Sequence, residues 1–212
     1  LITMTFNRRD FLKSGFGMAA GASLVSLPLY AWASKVSPTA SPSLLLVAEG
    51  PTPADNVRRV IQALGGIEAF VKKGDKVFLK PNSVNELGPE YAINTHPEVV
   101  REVARLCRLA GASTITALSH DDAASWPANG IGAALEAEGV VYGPADKEDA
   151  YRKVTLPLGL ILKETQALQA FLDADVVINM PVAKHHGASG LTLGLKNNMG
   201  LIWERTSFHY SD

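Results

Sequence analysis

The chain has 212 residues, with 20 Lys and Arg against 21 Asp and Glu, a formal charge of −1 and a single cysteine. Balanced charge supplies no basic field for nucleic acid, so a nucleic-acid partner is excluded at this stage. One cysteine closes no internal disulfide and cannot by itself hold an iron–sulfur cluster, and the length suits one domain behind a leader.

Arg8 and Arg9 stand side by side, followed by Phe11, Leu12 and Lys13. An uncharged run rich in Gly and Ala covers 14–34 and contains the small-x-small site Ala31, Trp32, Ala33. A basic start, a modest apolar stretch and a small-residue exit are the layout of an export signal. The Arg-Arg-x-Phe-Leu-Lys pattern is similar to the twin-arginine type and lacks only the usual Ser or Thr before the pair. Residues 1–33 are therefore expected to be a signal peptide, with Arg8, Arg9 and Ala33 as its marker residues. The expected partner is the twin-arginine translocase and the expected location is the periplasm or another extracytoplasmic space. The membrane enters only if the signal stays uncleaved. Residues 34–43, small and polar with two prolines, read as a linker.

The continuous apolar run at 44–48 predicts a strand buried on both faces. Val57, Val60, Ile61 and Leu64 follow at helical spacing before Gly65 and Gly66. A strand is expected at 76–79. Thr95 and Glu98 have the spacing of a capping box, with Pro97 in the first turn of a helix whose apolar stripe includes Val99, Val103 and Cys107. Further expectations are a strand at 114–118, a helix at 131–138, a strand at 154–158, a helix at 163–172 and a strand at 174–179. Strands alternating with helices predict an α/β domain over 44–212, with a mostly parallel sheet and helices on both faces. The sequence stops at Ser211 and Asp212 without a closing signal, so the C-terminus of this domain is expected to be incomplete. A ferredoxin-like segment is conceivable only beyond that point.

Ligands in such sheets sit beyond the carboxyl ends of the strands, which directs attention to four segments. Lys80 and Asn82 flank Pro81 at the end of the second strand, as a cation and an amide facing an anionic or carbonyl group, or as a plain turn. His120 lies between Ser119 and the carboxylates of Asp121 and Asp122; it suits a metal or acid–base work, against a solvated loop with Asp121 or Asp122 capping the next element. Lys184, His185 and His186 follow the last strand and suit anion, metal or proton chemistry. Lys196, Asn197 and Asn198 lie in a glycine-containing stretch, at 190–200, that suits an anion; the alternative there is a helix carrying Leu191, Leu195 and Met199 into the core. His96 reads as a helix-start residue, and Cys107 as a core residue rather than a nucleophile.

These pieces together resemble the domain-of-unknown-function family 362 (DUF362). The likeness rests on Lys80, Pro81 and Asn82, on Thr95, His96 and Pro97, and on the strand at 174–179 with Pro181. It continues through Lys184, His185 and His186 to the stretch from Thr192 to Gly200. Where this chain has Lys-His-His the family more often has Lys-Thr-His, so His186 matches the family histidine. The resemblance implies an α/β domain, sometimes with a twin-arginine signal or an iron–sulfur segment, and no settled reaction. The expectation is an exported enzyme or redox-linked protein that binds a small anionic substrate or cofactor. Its catalytic candidates are His186 and Lys184, and its anion-binding candidates are Lys80, Asn82, Lys196 and Asn197. The alternative is a non-catalytic exported binding protein for a small anion or a metal. The cofactor stays open, with His120, His185 and His186 as the metal candidates.

Overall fold

Strands with unbroken apolar runs lie at the centre of this protein because both of their faces are covered. The computed structural model describes residues 45–187, 189–206 and 208. The elements below belong to the compact unit that begins at Gly50. The strands in chain order are β1 (Lys76–Pro81), β2 (Thr114–Ser119), β3 (Val141–Pro144), β4 (Tyr151–Thr155), β5 (Glu164–Leu168), β6 (Val176–Met180), β7 (Lys184–His186) and β8 (Gly190–Thr192). The helices are α1 (Pro53–Ala63), α2 (Pro97–Leu109), α3 (Ser125–Ala128), α4 (Ile131–Glu136), α5 (Gln169–Leu172) and α6 (Gly194–Asn197).

The main sheet has the order β3-β2-β1-β6, and every pairing in it is parallel. Along β1, side chains alternate between two apolar layers, as the pleat requires. Val77 and Leu79 join Ile115 and Ala117 on one face, against Val57 and Ile61 of α1, Val100 and Cys107 of α2, and Ile131 and Leu135 of α4. Phe78 belongs to the other face, with Leu168, Leu201 and Tyr151. There it meets Phe171 edge-on at 5.9 Å. This second layer is made of the antiparallel β4–β5 hairpin, α5 and the 3-10 turn Asn198–Leu201, rather than of long helices. The α/β class is as expected.

Ion pairs bind the helical layer together at its rim. Arg101 and Arg108 converge on Glu138 at 3.1 and 2.9 Å, and Arg58 and Arg105 on Glu102 at 3.1 and 2.6 Å. Cys107 is fully buried on the apolar stripe of α2, and burial pushes its thiol up to about 11. This is the inert core residue expected.

Several expectations need correction. Of the run expected as a strand at 44–48, the described residues 45–48 form none, Leu45 being a single bridge residue, and Leu45 and Val47 are exposed. The helix expected at 163–172 is β5 followed by the single turn α5; residues 151–155 supply an antiparallel partner for 164–168, which overrides the helical spacing of Leu168, Phe171 and Leu172. The short strand β3 carries too little pattern to stand out. The start of α2 is capped by His96, not Thr95: His96 Nδ1 accepts from the backbone N–H of Glu98 at 3.2 Å. The expected helix-start role of His96 therefore holds, while Thr95 is used elsewhere. Leu191 and Leu195 are exposed, so 190–200 does not carry them into the core. The signal at 1–33 and the linker at 34–43 lie outside the described residues.

Core and surface predictions separate cleanly. Phe78→Ala should lower unfolding free energy in urea by about 3–5 kcal/mol, because it empties the centre of one layer. Leu195→Ala should change it by less than about 0.5 kcal/mol, since that side chain is 89% exposed.

Candidate functional site

The strand order reverses at one place. The chain steps from β1 to β2 to β3 in one direction, then returns to put β6 on the other side of β1. A crevice opens at such a switch point, between the carboxyl ends of the two diverging strands. Here these ends are Lys80 and Pro81 of β1, paired in register with Asn179 and Met180 of β6. The β7–β8 hairpin, α6 and the turn after it come next in the chain. With residues from β1 and β2 they line a cavity of about 170 Å³. Lys80, Asn82, Asp121, Lys184, His186, Lys196, Asn197 and Arg205 all line it.

Lys80 lies at its floor, 2% exposed. Its Nζ donates to its neighbour's carbonyl, Pro81 O, at 2.8 Å and stands 3.9 Å from Asp121 Oδ2. Burial strips water from the ammonium and pulls its pKa down to about 8, with Asp121 opposing that shift. Asp121 Oδ2 is buried without a hydrogen-bond partner. Gly200 passes close by. A Cβ there would overlap Ser119 Oγ and lie 3.0 Å from Lys80 Cε.

Asn82 and Lys184 form the second part of the lining. Lys184 Nζ donates to Asn82 Oδ1 and to Ile93 O, both at 2.7 Å, and partial burial lowers its pKa. Asn197 crosses the strand ends: its Nδ2 donates to Lys80 O at 2.9 Å and Asn179 Oδ1 at 2.7 Å. These two bonds fix the orientation of the amide, and its Oδ1 is left buried with no partner. Thr192 holds the base of the hairpin by donating to Val182 O at 2.8 Å. His186 Nδ1 accepts from the backbone N–H of Ser189 at 3.2 Å, which fixes the ring at the cavity wall.

The expected site residues thus divide. Lys80, Asn82, Lys184, His186, Lys196 and Asn197 come together in one cavity. His185 alternates with His186 along β7 and is exposed, so the two rings are on opposite faces of the hairpin. His120 stacks on Trp203 with ring centroids 4.8 Å apart, and its Nδ1 is 3.3 Å from Ile202 O. Among the described residues no group of three or more His, Cys, Asp or Glu is placed to hold a metal ion. Asp122 caps the following turn, its Oδ1 accepting from Ala124 N at 3.0 Å.

Sequence reasoning missed Asp121, Arg205, Gly200 and Thr95 as parts of this site. The sequence offers Asp121 as a carboxylate beside His120 or as a cap, and its place at a strand end is the one signal for its position beside Lys80. Thr95 Oγ1 accepts from Asn82 N at 2.8 Å and donates to Met180 O at 2.6 Å, joining the ends of β1 and β6. A broader depression of about 480 Å³ lies on the β4–β5 hairpin, lined by Lys153, Glu164 and Glu204 among others. Lys153 and Glu164 pair there at 2.8 Å, both exposed, so that depression lacks the buried cations that mark the strand-end cavity.

Comparison with known proteins supports one assignment. The family model described as domain of unknown function (DUF362) matches residues 77–212. The chain belongs to this family. The match begins within β1 of the DUF362 domain and takes in every lining residue of the cavity. The chain is also similar to the thylakoid-associated protein sll1697 of Synechocystis sp., at 33% identity over 153 residues. That stretch is 69% of this chain and 45% of the relative, so the chain spans less than half the relative's length. No solved structure matches the chain. No helix among the described residues is long and apolar enough to cross a membrane.

Two substitutions test this geometry. Thr95→Val strands a buried donor at Asn82 and a buried acceptor at Met180 and should cost about 1–3 kcal/mol in urea unfolding, despite its nearly equal volume. Gly200→Ala should destabilise by about 1–3 kcal/mol, because neither Ser119 nor Lys80 has room to retreat. The Lys80 shift also has a stability sign. Its pKa falls from 10.5 to about 8 on folding, so between these pH values the unfolded chain holds the extra proton. Stability from this group should therefore rise with pH across that window, which melts of the wild type and Lys80→Met at pH 7.5 and 10 would read.

Proposed function

We propose that this DUF362 protein is exported by the twin-arginine route and binds a small anionic substrate or cofactor in the strand-end cavity. The observation that carries the reading is the charge of the lining. Lys80, Lys184, Lys196 and Arg205 contribute four cations against the single carboxylate of Asp121, in a chain whose formal charge is −1. Cations gathered at a partly buried concave site favour an anion, and donors fixed in advance do so without reorganising. Lys184 and Asn82 are already bonded to one another, so they present a fixed pair. His186, half-buried in the cavity wall, is the group we assign to proton movement, with Lys184 beside it holding the ligand's charge.

Export rests on Arg8, Arg9 and the small-residue exit at Ala33. The thylakoid association in the relative's name is compatible with an extracytoplasmic setting. Replacement of both arginines by lysine should leave the full-length precursor in the cytoplasm of a host with a working twin-arginine route, as cell fractionation would read. Processed periplasmic product from that variant would overturn the twin-arginine route and leave export itself standing.

Binding is tested by calorimetric titration of phosphate, sulfate, oxalate and oxamate into the purified protein. At least one should bind at pH 7, and its affinity should fall as pH rises through about 8, because Lys80 loses the charge that attracts it. Lys184→Ala should weaken that ligand about tenfold, the loss of one charge-assisted hydrogen bond. The absence of heat with every anion in the panel would sink the proposal.

A further inference from the structure

We propose that Lys80 is a nucleophilic amine, placed to form an imine with the carbonyl group of a small oxo-carboxylate such as a 2-oxo acid. The inference rests on the small-anion reading above and adds a covalent step to it. Its first support is the coordination of the amine. A lysine buried for structure alone bonds its carboxylate directly, at roughly 2.8 Å. Lys80 Nζ instead has a single hydrogen-bond acceptor, Pro81 O, and its nearest carboxylate oxygen is 3.9 Å away. Three N–H donors with one acceptor make the ammonium poorly satisfied, whereas the neutral amine loses little there.

The second support is access. Asp121 and Gly200 both line the cavity, and Lys80 Nζ lies between them. A Cβ on Gly200 would stand 3.2 Å from that nitrogen, so the missing side chain leaves the amine its approach. The third is a proton acceptor in the right place: Asp121 Oδ2 is buried and makes no hydrogen bond. The fourth is charge. Lys184, Lys196 and Arg205 line the same cavity and suit the carboxylate of the ligand, while about 170 Å³ restricts it to a few heavy atoms. Burial, finally, keeps a large neutral fraction of Lys80 at pH 8, where an ordinary lysine is less than about 1% neutral.

The step balances without an oxidant. The nitrogen lone pair of Lys80 attacks the carbonyl carbon and forms the C–N bond. The C=O π pair moves to oxygen, which takes up a proton, while the nitrogen gives a proton to Asp121. Asp121 then returns that proton to the hydroxyl of the carbinolamine. Water leaves as the nitrogen lone pair forms C=N. The sum is amine, carbonyl and one solvent proton, taken up by the oxygen in the first step, giving the protonated imine plus water.

The test is reductive trapping on the full chain. The protein is incubated with pyruvate and cyanoborohydride at pH 8, and its peptides are mapped by mass. The expected result is one adduct per chain, on the peptide holding Lys80, formed about tenfold faster than at any other lysine. Oxamate has the same shape and charge as pyruvate but no electrophilic ketone, and it should block the adduct. Lys80→Arg should abolish it, and Asp121→Asn should slow it while oxamate still binds by calorimetry. Should Lys80→Arg fail to fold, oxamate protection of the wild type decides the matter without a variant. Adducts scattered over exposed lysines and unprotected by oxamate, while oxamate or another anion of the panel still binds, would overturn the imine and leave the anion site standing. Loss of both adduct and all anion binding would overturn both.

Discussion

The strand-end site depends on a single hydroxyl. Thr95 stands just before α2, yet its side chain turns away from the helix it precedes. It accepts from the backbone of Asn82 and donates to the backbone of Met180. These are the points where the chain leaves β1 and its neighbour on the sheet edge, β6. Neighbouring parallel strands are held in register by their ladder, but the ladder ends where the chain departs. Beyond it, bonds such as these fix the direction in which Lys80, Asn82 and the segment toward Lys184 proceed. The backbone N–H of Thr95 also donates to Asn82 O at 2.9 Å, so the contact is reciprocal. His96 can cap α2 because Thr95 is committed elsewhere.

The same ends of the sheet explain how a cation comes to be buried there. A lysine pointing into an apolar layer would be excluded by its desolvation cost. Lys80 occupies the last position of β1 before Pro81, beside the sheet's polar edge. One carbonyl, Pro81 O, and one carboxylate, Asp121, stand beside its ammonium there. Asn197 of α6 reaches across to the carbonyl of Lys80 and to Asn179, so two strand-end residues and one helical residue share one hydrogen-bond network. Networks of this kind hold polar groups in fixed directions, which is what a ligand needs to find waiting.

Most of the architecture was legible because it is written in local pattern. The apolar runs of β1, β2 and β6 and the stripes of α1 and α2 identify themselves. The misread segments depend on distant partners. Residues 164–168 become a strand only because residues 151–155 lie beside them. Residues 45–48 have the apolar composition of a buried strand but form no strand. The site divides in the same way. Lys80, Asn82, Lys184 and Asn197 were legible because the strand-end rule selects them. Asp121, Gly200 and Thr95 were not, since their roles arise from contacts across 41, 120 and 85 residues of chain, the separations from Lys80 to Asp121 and Gly200 and from Thr95 to Met180. Leu191 and Leu195 count against the alternative reading of 190–200: their helical spacing falls on an exposed rim rather than in the core, because α6 is a single turn.

The late arrival of β6 bears on how the molecule is made. Lys76 meets Asp175 across 99 residues, whereas β1, β2 and β3 follow one another closely. On a ribosome, the first three strands can pair while the partner of β1 on its other edge is still unsynthesised. Until then that edge is an open row of unpaired amides, and Lys80 has water on the side that β6 will occupy. The crevice, its charge and the depressed basicity of its lysine are born together, once β6 and the hairpin after it are in place. A nascent chain that has not yet made β6 therefore offers a ligand no such cavity.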